Sequence, residues 1–450
     1  WKPVVLTSLT TAGGFAALAT ADMTAYRSLG VFTSFGVLAA LALSVTLIPA
    51  LLAILPPPPA AALRQRSRVS TVAVEKLAMV AHRHNIPVLT AAAITLVIGS
   101  ICATQLKIDS SWVDSLAEGT PVREAEHELR TRHGGTVSMN IIVETEEPDG
   151  IKNPALLRGI DALLAELAEH PSVGDTRSLA EYVMRMNQAL NEDRPEFLRI
   201  PDDAELVAQL LLLHSMSGNP NELADTVDYD FQHANLSTFL RTDRLSAMGE
   251  VVDLAEALVV KHIEPVPGAT AQVTGGAKMQ TVISDLIWQG QVYSLGAATT
   301  LIVVFLLILY RSVHQALICM LPPVFAAVMT YGTMGALGIP LGPSEAVIAA
   351  IALGIGIDYS IHLISRVRAN VKSGLVGEEA VMAAVMTTGR GILFNGVVVC
   401  AGFAVLTFSE SPANFSFGLL IVGNMATCCI AALFYVPATL VRFGLGDADA

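Results

Sequence analysis

Residues 346–364 read AVIAAIALGIGIDYSIHLI, an apolar run whose single acidic residue is Asp358 in Gly354-Ile-Gly-Ile-Asp-Tyr359. About 20 such residues, wound as a helix, cross the hydrocarbon core of a bilayer. A carboxylate at that depth costs on the order of 2.5–3.5 kcal/mol on insertion scales, so such residues face a bundle interior and mark ion or proton pathways. Asp358 is therefore the leading functional candidate. Gly354 and Gly356 remove side chains beside it and let a neighbouring helix approach.

Seven further apolar segments flank this one, giving eight expected spans: Val4–Thr20, Leu29–Leu55, Ile86–Leu106, Val292–Tyr310, Ala316–Ile339, Glu345–Ser365, Ile392–Phe408 and Phe415–Val441. With 53% hydrophobic and only 15% charged residues among 450, the chain reads as a polytopic α-helical membrane protein. The net charge of −13 is unevenly placed: residues 107–291 hold 14 basic and 31 acidic residues, and the rest of the chain 13 and 9. An acidic soluble domain is thus set into a slightly basic membrane part, and nucleic acid is not an expected partner. Cys102, Cys319, Cys400, Cys428 and Cys429 all fall in apolar segments without metal-type spacing and read as small core residues. No charged-then-apolar leader with a cleavage site opens the chain, so the first span reads as part of the protein.

One set of short connections carries Lys2, Arg64, Arg66, Arg68, Lys76, Arg83, Arg311, Arg366, Arg368, Lys372, Arg390 and Arg442, and the opposite set only Arg27. The basic side is expected to be cytoplasmic. Residues 107–291 then lie outside, in the periplasm of a Gram-negative cell. Pro56 to Pro59 end the second span. After them come a basic linker and an amphipathic helix, Val72 to His84; a second surface helix is expected at Gly377 to Thr387, both resting at the headgroups. Pro322 and Pro323 are expected to kink the fifth span.

The chain repeats itself without gaps. A shift of 388 positions lays Gly14-Phe15-Ala16 on Gly402-Phe403-Ala404, Leu18 on Leu406, Asp22 on Glu410, Gly30 on Gly418 and Pro49-Ala50 on Pro437-Ala438. A fixed register of glycines, a loop acid and a terminal proline over two spans marks a duplication. Residues 1–55 then read as the last two helices of a first repeat, 56–85 as linker and amphipathic helix, and 86–106 as the first helix of a second repeat. Residues 107–291 form its outer domain, 292–443 its remaining five helices and 444–450 a cytoplasmic tail. Transporters built from repeats place their coupling sites near the midplane between them.

One span, a large outer domain, five more spans, and Gly354-x-x-x-Asp358-Tyr359 in the fourth of them resemble a unit of the RND superfamily of exporters. The likeness is to the lipid-exporting branch that includes the MmpL proteins and hopanoid transporters. The resemblance implies proton antiport driving export of lipids or other hydrophobic molecules from a bacterial inner membrane. It implies a secondary active transporter rather than an enzyme, with a proton gradient in place of any cofactor. It also implies an α+β, ferredoxin-like porter domain. In that family the motif Asp belongs to the proton relay and the adjacent Tyr bonds across to the opposite repeat, which nominates Asp358 and Tyr359. His362, one turn on, lies on the same helix face as Asp358. It is a candidate to pass the proton inward or, alternatively, a cap on the polar helix end. Thr388 and Asn395 are candidates to hydrogen-bond Asp358 across the bundle, with ordinary packing contacts as the alternative.

In the outer domain, strands are expected at Thr136–Thr145, Gln232–Arg241 and Ala269–Gly275, and helices at Asn153–His170, Ala204–Ser215 and Leu245–His262. Its histidines, His127, His133, His170, His214, His233 and His262, lack metal-ligand spacing. The expected partners are a lipid substrate, membrane lipids, the first repeat of the same protein, and further copies in an assembly whose size the sequence does not set. The competing reading is a sterol-sensing-like scaffold that binds a lipid without transporting it.

Overall fold

The computed structural model describes residues 2–56, 68–107, 109–217 and 223–445. They fall into two compact units, residues 109–285 and, together, residues up to 108 and from 286 onward.

The chain enters as α1 (Lys2–Ala16), closed by a 3-10 turn over Ala17–Thr20, and continues as α2 (Thr24–Ile54). Residues 57–67, most of the expected linker, lie outside the described residues. The amphipathic helix α3 (Arg68–Arg83) follows, then α4 (Asn85–Ala103). Val74, Ala78 and Ala81 of α3 are buried, because a stripe of small side chains lets one face of the helix lie on the rest of the unit.

Residues 109–285 hold α5 (Pro121–Arg132), β1 (Val137–Thr145), α6 (Pro154–Ala168), β2 (Val173–Arg177), α7 (Leu179–Leu190), α8 (Ala204–Ser217), β3 (His233–Leu240), α9 (Leu245–His262) and β4 (Ala269–Thr274). The four strands form one antiparallel sheet in the order β2-β3-β1-β4. Met139, Ile141 and Val143 alternate inward along β1 with no exposed surface, the period of two that a sheet covered on one face requires. Asn153 caps α6 by accepting the Ala155 N–H at 2.9 Å, and Pro154 takes the first helical position. Leu156, Leu157, Ile160, Leu163, Leu164 and Leu167 then fall on one face and join the core under the sheet, as Leu245, Met248, Val251, Val252, Ala255 and Val259 do from α9. The expected strands and helices are present, whereas α5, β2 and α7 were not anticipated.

Arg130 ties this unit together. Its Nε donates to Glu126 and its Nη2 to Asp243, both at 2.5 Å. Asp243 also accepts from the Ser111 hydroxyl at 2.8 Å and the Val113 N–H at 2.9 Å. Burial alone would raise the Asp243 carboxyl, but these donors outweigh it and hold it below the ordinary aspartate range.

The remaining helices are α10 (Gly276–Tyr310), α11 (Val313–Leu337), α12 (Pro343–Lys372), α13 (Gly377–Ala404) and α14 (Pro412–Phe443). Helix α10 is one helix of 35 residues. No separate surface helix occupies Gly377–Thr387, which is the first part of α13. Helix α11 runs through Pro322 and Pro323, both buried.

Among the described residues, seven helices (α2, α4 and α10 to α14) are long and apolar enough to cross a membrane, and the eighth expected span, Val4–Thr20, is a shorter apolar helix. The chain is a multi-pass membrane protein. Helix α12 sits at the centre of its unit, packed on α1, α11, α13 and α14. Its apolar window is 81% buried, against none for α2. Glycines let backbones meet: a Cβ on Gly332 of α11 would lie 2.6 Å from the Gly99 carbonyl of α4.

Candidate functional site

Asp358 lies in the buried middle of α12, and what reaches it comes from α1. Thr11 Oγ1 is 3.3 Å from Asp358 Oδ1 and 3.5 Å from Oδ2, and it donates to the Gly354 carbonyl at 2.8 Å. The two helices can come this close because both are glycine where they cross. A Cβ on Gly14 would stand 3.2 Å from the Gly354 Cα. Thr7 and Thr10 bond back to carbonyls of their own helix; Thr11 reaches across. Among the described residues no cation pairs with Asp358, so its charge, when present, has one hydroxyl to meet it.

The other motif residues divide between neighbours. Gly356 faces Cys428 of α14 and Pro323 of α11, and a side chain there would collide with the Cys428 sulfur. Tyr359, 2% exposed, points away from α1. Its hydroxyl lies beside Gly396 of α13, 3.8 Å from where a Cβ on that residue would stand, and has no hydrogen-bond partner among the described residues. Successive residues on a helix are about 100° apart, so Asp358 and Tyr359 address different neighbours. Ser360 is fully buried with its hydroxyl likewise unpartnered.

His362 is half-buried, and its ring makes no hydrogen bond or ion pair among the described residues. Thr388 is half-buried and Asn395 exposed on α13, and neither bonds to Asp358. The hydroxyl found at the carboxylate belongs to Thr11, which sequence reasoning missed. A signal existed in the run Thr10-Thr11-Ala-Gly13-Gly14, where hydroxyls stand one turn from paired glycines in an apolar span. It was obscured because the repeat aligns Thr11 with Val399, a position with no polar group. Toward the far end of α12, Tyr310 of α10 lies 3.4 Å from both the Ile361 carbonyl and the Ser365 hydroxyl, with the Arg368 guanidinium 5.5 Å from its ring.

The site has the parts for handling a proton: an acid inside apolar helices, one hydroxyl partner on a different helix, and a seam that glycines keep narrow. No group of three or more potential metal ligands occurs among the described residues.

The MMPL family model matches residues 115–446. A putative membrane protein of Methanocaldococcus jannaschii, MJ1562, is 24% identical over 354 residues, covering 77% of this chain and 88% of that protein. The trehalose monomycolate exporter MmpL3 of Mycolicibacterium smegmatis is 25% identical over 193 residues, 42% of this chain and 19% of the exporter. The apo-petrobactin exporter of Bacillus anthracis is 30% identical over 188 residues, 39% of this chain and 24% of that protein. The chain thus aligns along most of the archaeal protein but spans only about a fifth to a quarter of the two exporters.

Proposed function

The chain belongs to the MMPL family, and we propose that it serves proton-driven export of lipids or other hydrophobic molecules, with Asp358 as the residue that takes up and releases the proton. The observation that carries this reading is the Asp358 carboxyl buried in α12 with, among the described residues, only the Thr11 hydroxyl as partner. A carboxylate kept for architecture would be expected to have a cation or several donors, since an unpaired charge in a bilayer is costly. A proton removes that cost, and a seam that repacks can restore it. Relatives named as a trehalose monomycolate exporter and an apo-petrobactin exporter support this reading.

The rest of the reading follows from the fold. Two β-α-β units in the order β2-β3-β1-β4, split by α7 and α8, support a ferredoxin-like porter domain. The basic connections support a place for this domain outside a bacterial inner membrane. No cofactor or nucleotide is required by the scheme; a proton gradient drives it.

The internal repeat supports further helices that cover α2. Under the shift of 388, Leu43 aligns with Ala431, Ile48 with Val436 and Leu52 with Leu440. The α2 members are 56%, 52% and 67% exposed, and the α14 members 0%, 0% and 3%. The face that α14 buries against α3, α4, α11 and α12 is bare on α2. Counterparts of those four helices, supplied by a first repeat, would cover it. They would also bring a second fourth-span helix to the seam, opposite Asp358, and the intact two-repeat protein is the exporting unit.

The test compares the intact protein with Asp358→Asn, matched for expression and folding, by mass spectrometry of lipids reaching the outer surface. Export lost in the variant supports the reading. Unchanged export overturns the proton assignment and favours the lipid-binding scaffold.

A further inference from the structure

The Thr11 hydroxyl has two acceptors within reach and one hydrogen to give. A threonine hydroxyl offers a single O–H and two lone pairs, yet Thr11 Oγ1 lies 2.8 Å from the Gly354 oxygen and 3.3 and 3.5 Å from the Asp358 carboxyl oxygens. Gly354 and Asp358 are one helical turn apart, so the Gly354 carbonyl already receives the Asp358 N–H and turns its second lone pair to α1. We infer that Thr11 reads the protonation state of Asp358 and passes it from α12 to α1, its hydrogen moving between the Gly354 carbonyl and the Asp358 carboxylate.

When Asp358 is protonated, its own O–H can donate to Thr11 Oγ1 while Thr11 donates to Gly354. The seam then holds a continuous chain of two bonds. When Asp358 is ionised, the carboxylate can only accept, and a bond to a charged oxygen is roughly twice as strong as one to a neutral carbonyl. The hydroxyl turns to the carboxylate, and Gly354 loses its link to α1. The recorded distances, 2.8 Å to Gly354 and 3.3 Å to Asp358, put the Thr11 hydrogen on the Gly354 carbonyl and leave the carboxyl just beyond a full O–H···O bond. Loss or gain of a proton therefore changes how many bonds join α1 to α12. The narrow crossing at Gly14 and Gly354 leaves little slack to absorb that change. Among the described residues, the other titratable groups near the carboxyl are Cys428 on α14, with Tyr359 and His362 on α12 itself; α1 presents the non-titrating Thr11.

This inference rests on Asp358 as the proton site, and its test separates the two claims. The full chain in phospholipid vesicles is titrated with protons alone and followed by infrared difference spectroscopy, with Asp358→Asn identifying the carboxyl band. Thr11→Val keeps the shape of the side chain without the hydroxyl, and Thr11→Ser keeps the hydroxyl. Hydrogen exchange of α1, corrected for the intrinsic effect of pH, reads the response across the seam.

The expected result is an Asp358 band that persists in Thr11→Val but moves to the higher frequency of an acid without an acceptor, and returns in Thr11→Ser. Protection of α1 should rise by about a hydrogen bond's worth, on the order of fivefold, on protonation in wild type and Thr11→Ser. It should not change in Thr11→Val. An unmoved band in Thr11→Val, or an α1 response that survives it, overturns the role of Thr11 while leaving the proton site standing. Absence of any band removed by Asp358→Asn overturns both.

Discussion

Gly14 and Gly354 meet where α1 crosses α12, so closely that a Cβ on Gly14 would lie 3.2 Å from the Gly354 Cα and 3.6 Å from its nitrogen. A backbone atom cannot swing aside as a side-chain tip can. Gly14→Leu is expected to force the helices apart, lower stability by about 1–3 kcal/mol, and separate Thr11 from Asp358. Gly423→Leu, at a position with nothing within 4 Å, is the control and should be neutral. Thermal unfolding of both variants in detergent checks this; equal midpoints would contradict a tight seam.

Asp243 gives the unit of residues 109–285 a pH dependence whose sign can be worked out. Its carboxyl is held below its unfolded value, so the stabilisation is fully present above the ordinary aspartate range and is lost as pH falls through the folded value. Asp243→Asn is expected to cost about 1.5–3 kcal/mol, because it removes the charged acceptor shared by Arg130, Ser111 and Val113 while Arg130 keeps Glu126, and to flatten the acid limb of the stability profile. Unfolding of this unit within the full chain, followed by intrinsic fluorescence across that range, is the measurement. His233 runs the opposite way. The Asp228 carboxylate raises its imidazole, so its contribution is full below the unfolded histidine value and disappears as pH rises through the folded one.

The bare face of α2 makes a prediction about the assembly. Ile48→Cys should react with a membrane-soluble maleimide in the 450-residue chain and be shielded where the proposed covering helices are supplied. Val436→Cys, at the aligned position, should be shielded in both. Peptide mass spectrometry reads the extent of labelling, and equal reactivity of the two cysteines in the short chain would remove the burial difference on which the argument stands.

Much of this architecture was legible because its signals are local. Apolar length marked the long helices, alternation marked β1, β3 and β4, and Asn153-Pro154 marked the start of α6. What escaped depends on tertiary contact. β2 is five residues, Val-Gly-Asp-Thr-Arg, strand-forming only because β3 pairs with it. Asp358 and Gly354 announced themselves by cost and by the absence of side chains, but Thr11 is an ordinary residue in a helix until α12 is laid against it. Thr388 and Asn395 were nominated for polarity alone, and their helix turns them elsewhere.

The most direct test of the central claim measures proton movement itself. Membrane vesicles holding equal amounts of intact wild-type or Asp358→Asn protein, with their native lipids, are given an inward proton gradient across the outer face, and internal pH is followed with a trapped dye. Proton entry attributable to the protein should be present in wild type, partly retained in Asp358→Glu and absent in Asp358→Asn. Equal entry with and without the carboxyl would contradict Asp358 as the residue through which this protein takes up its proton.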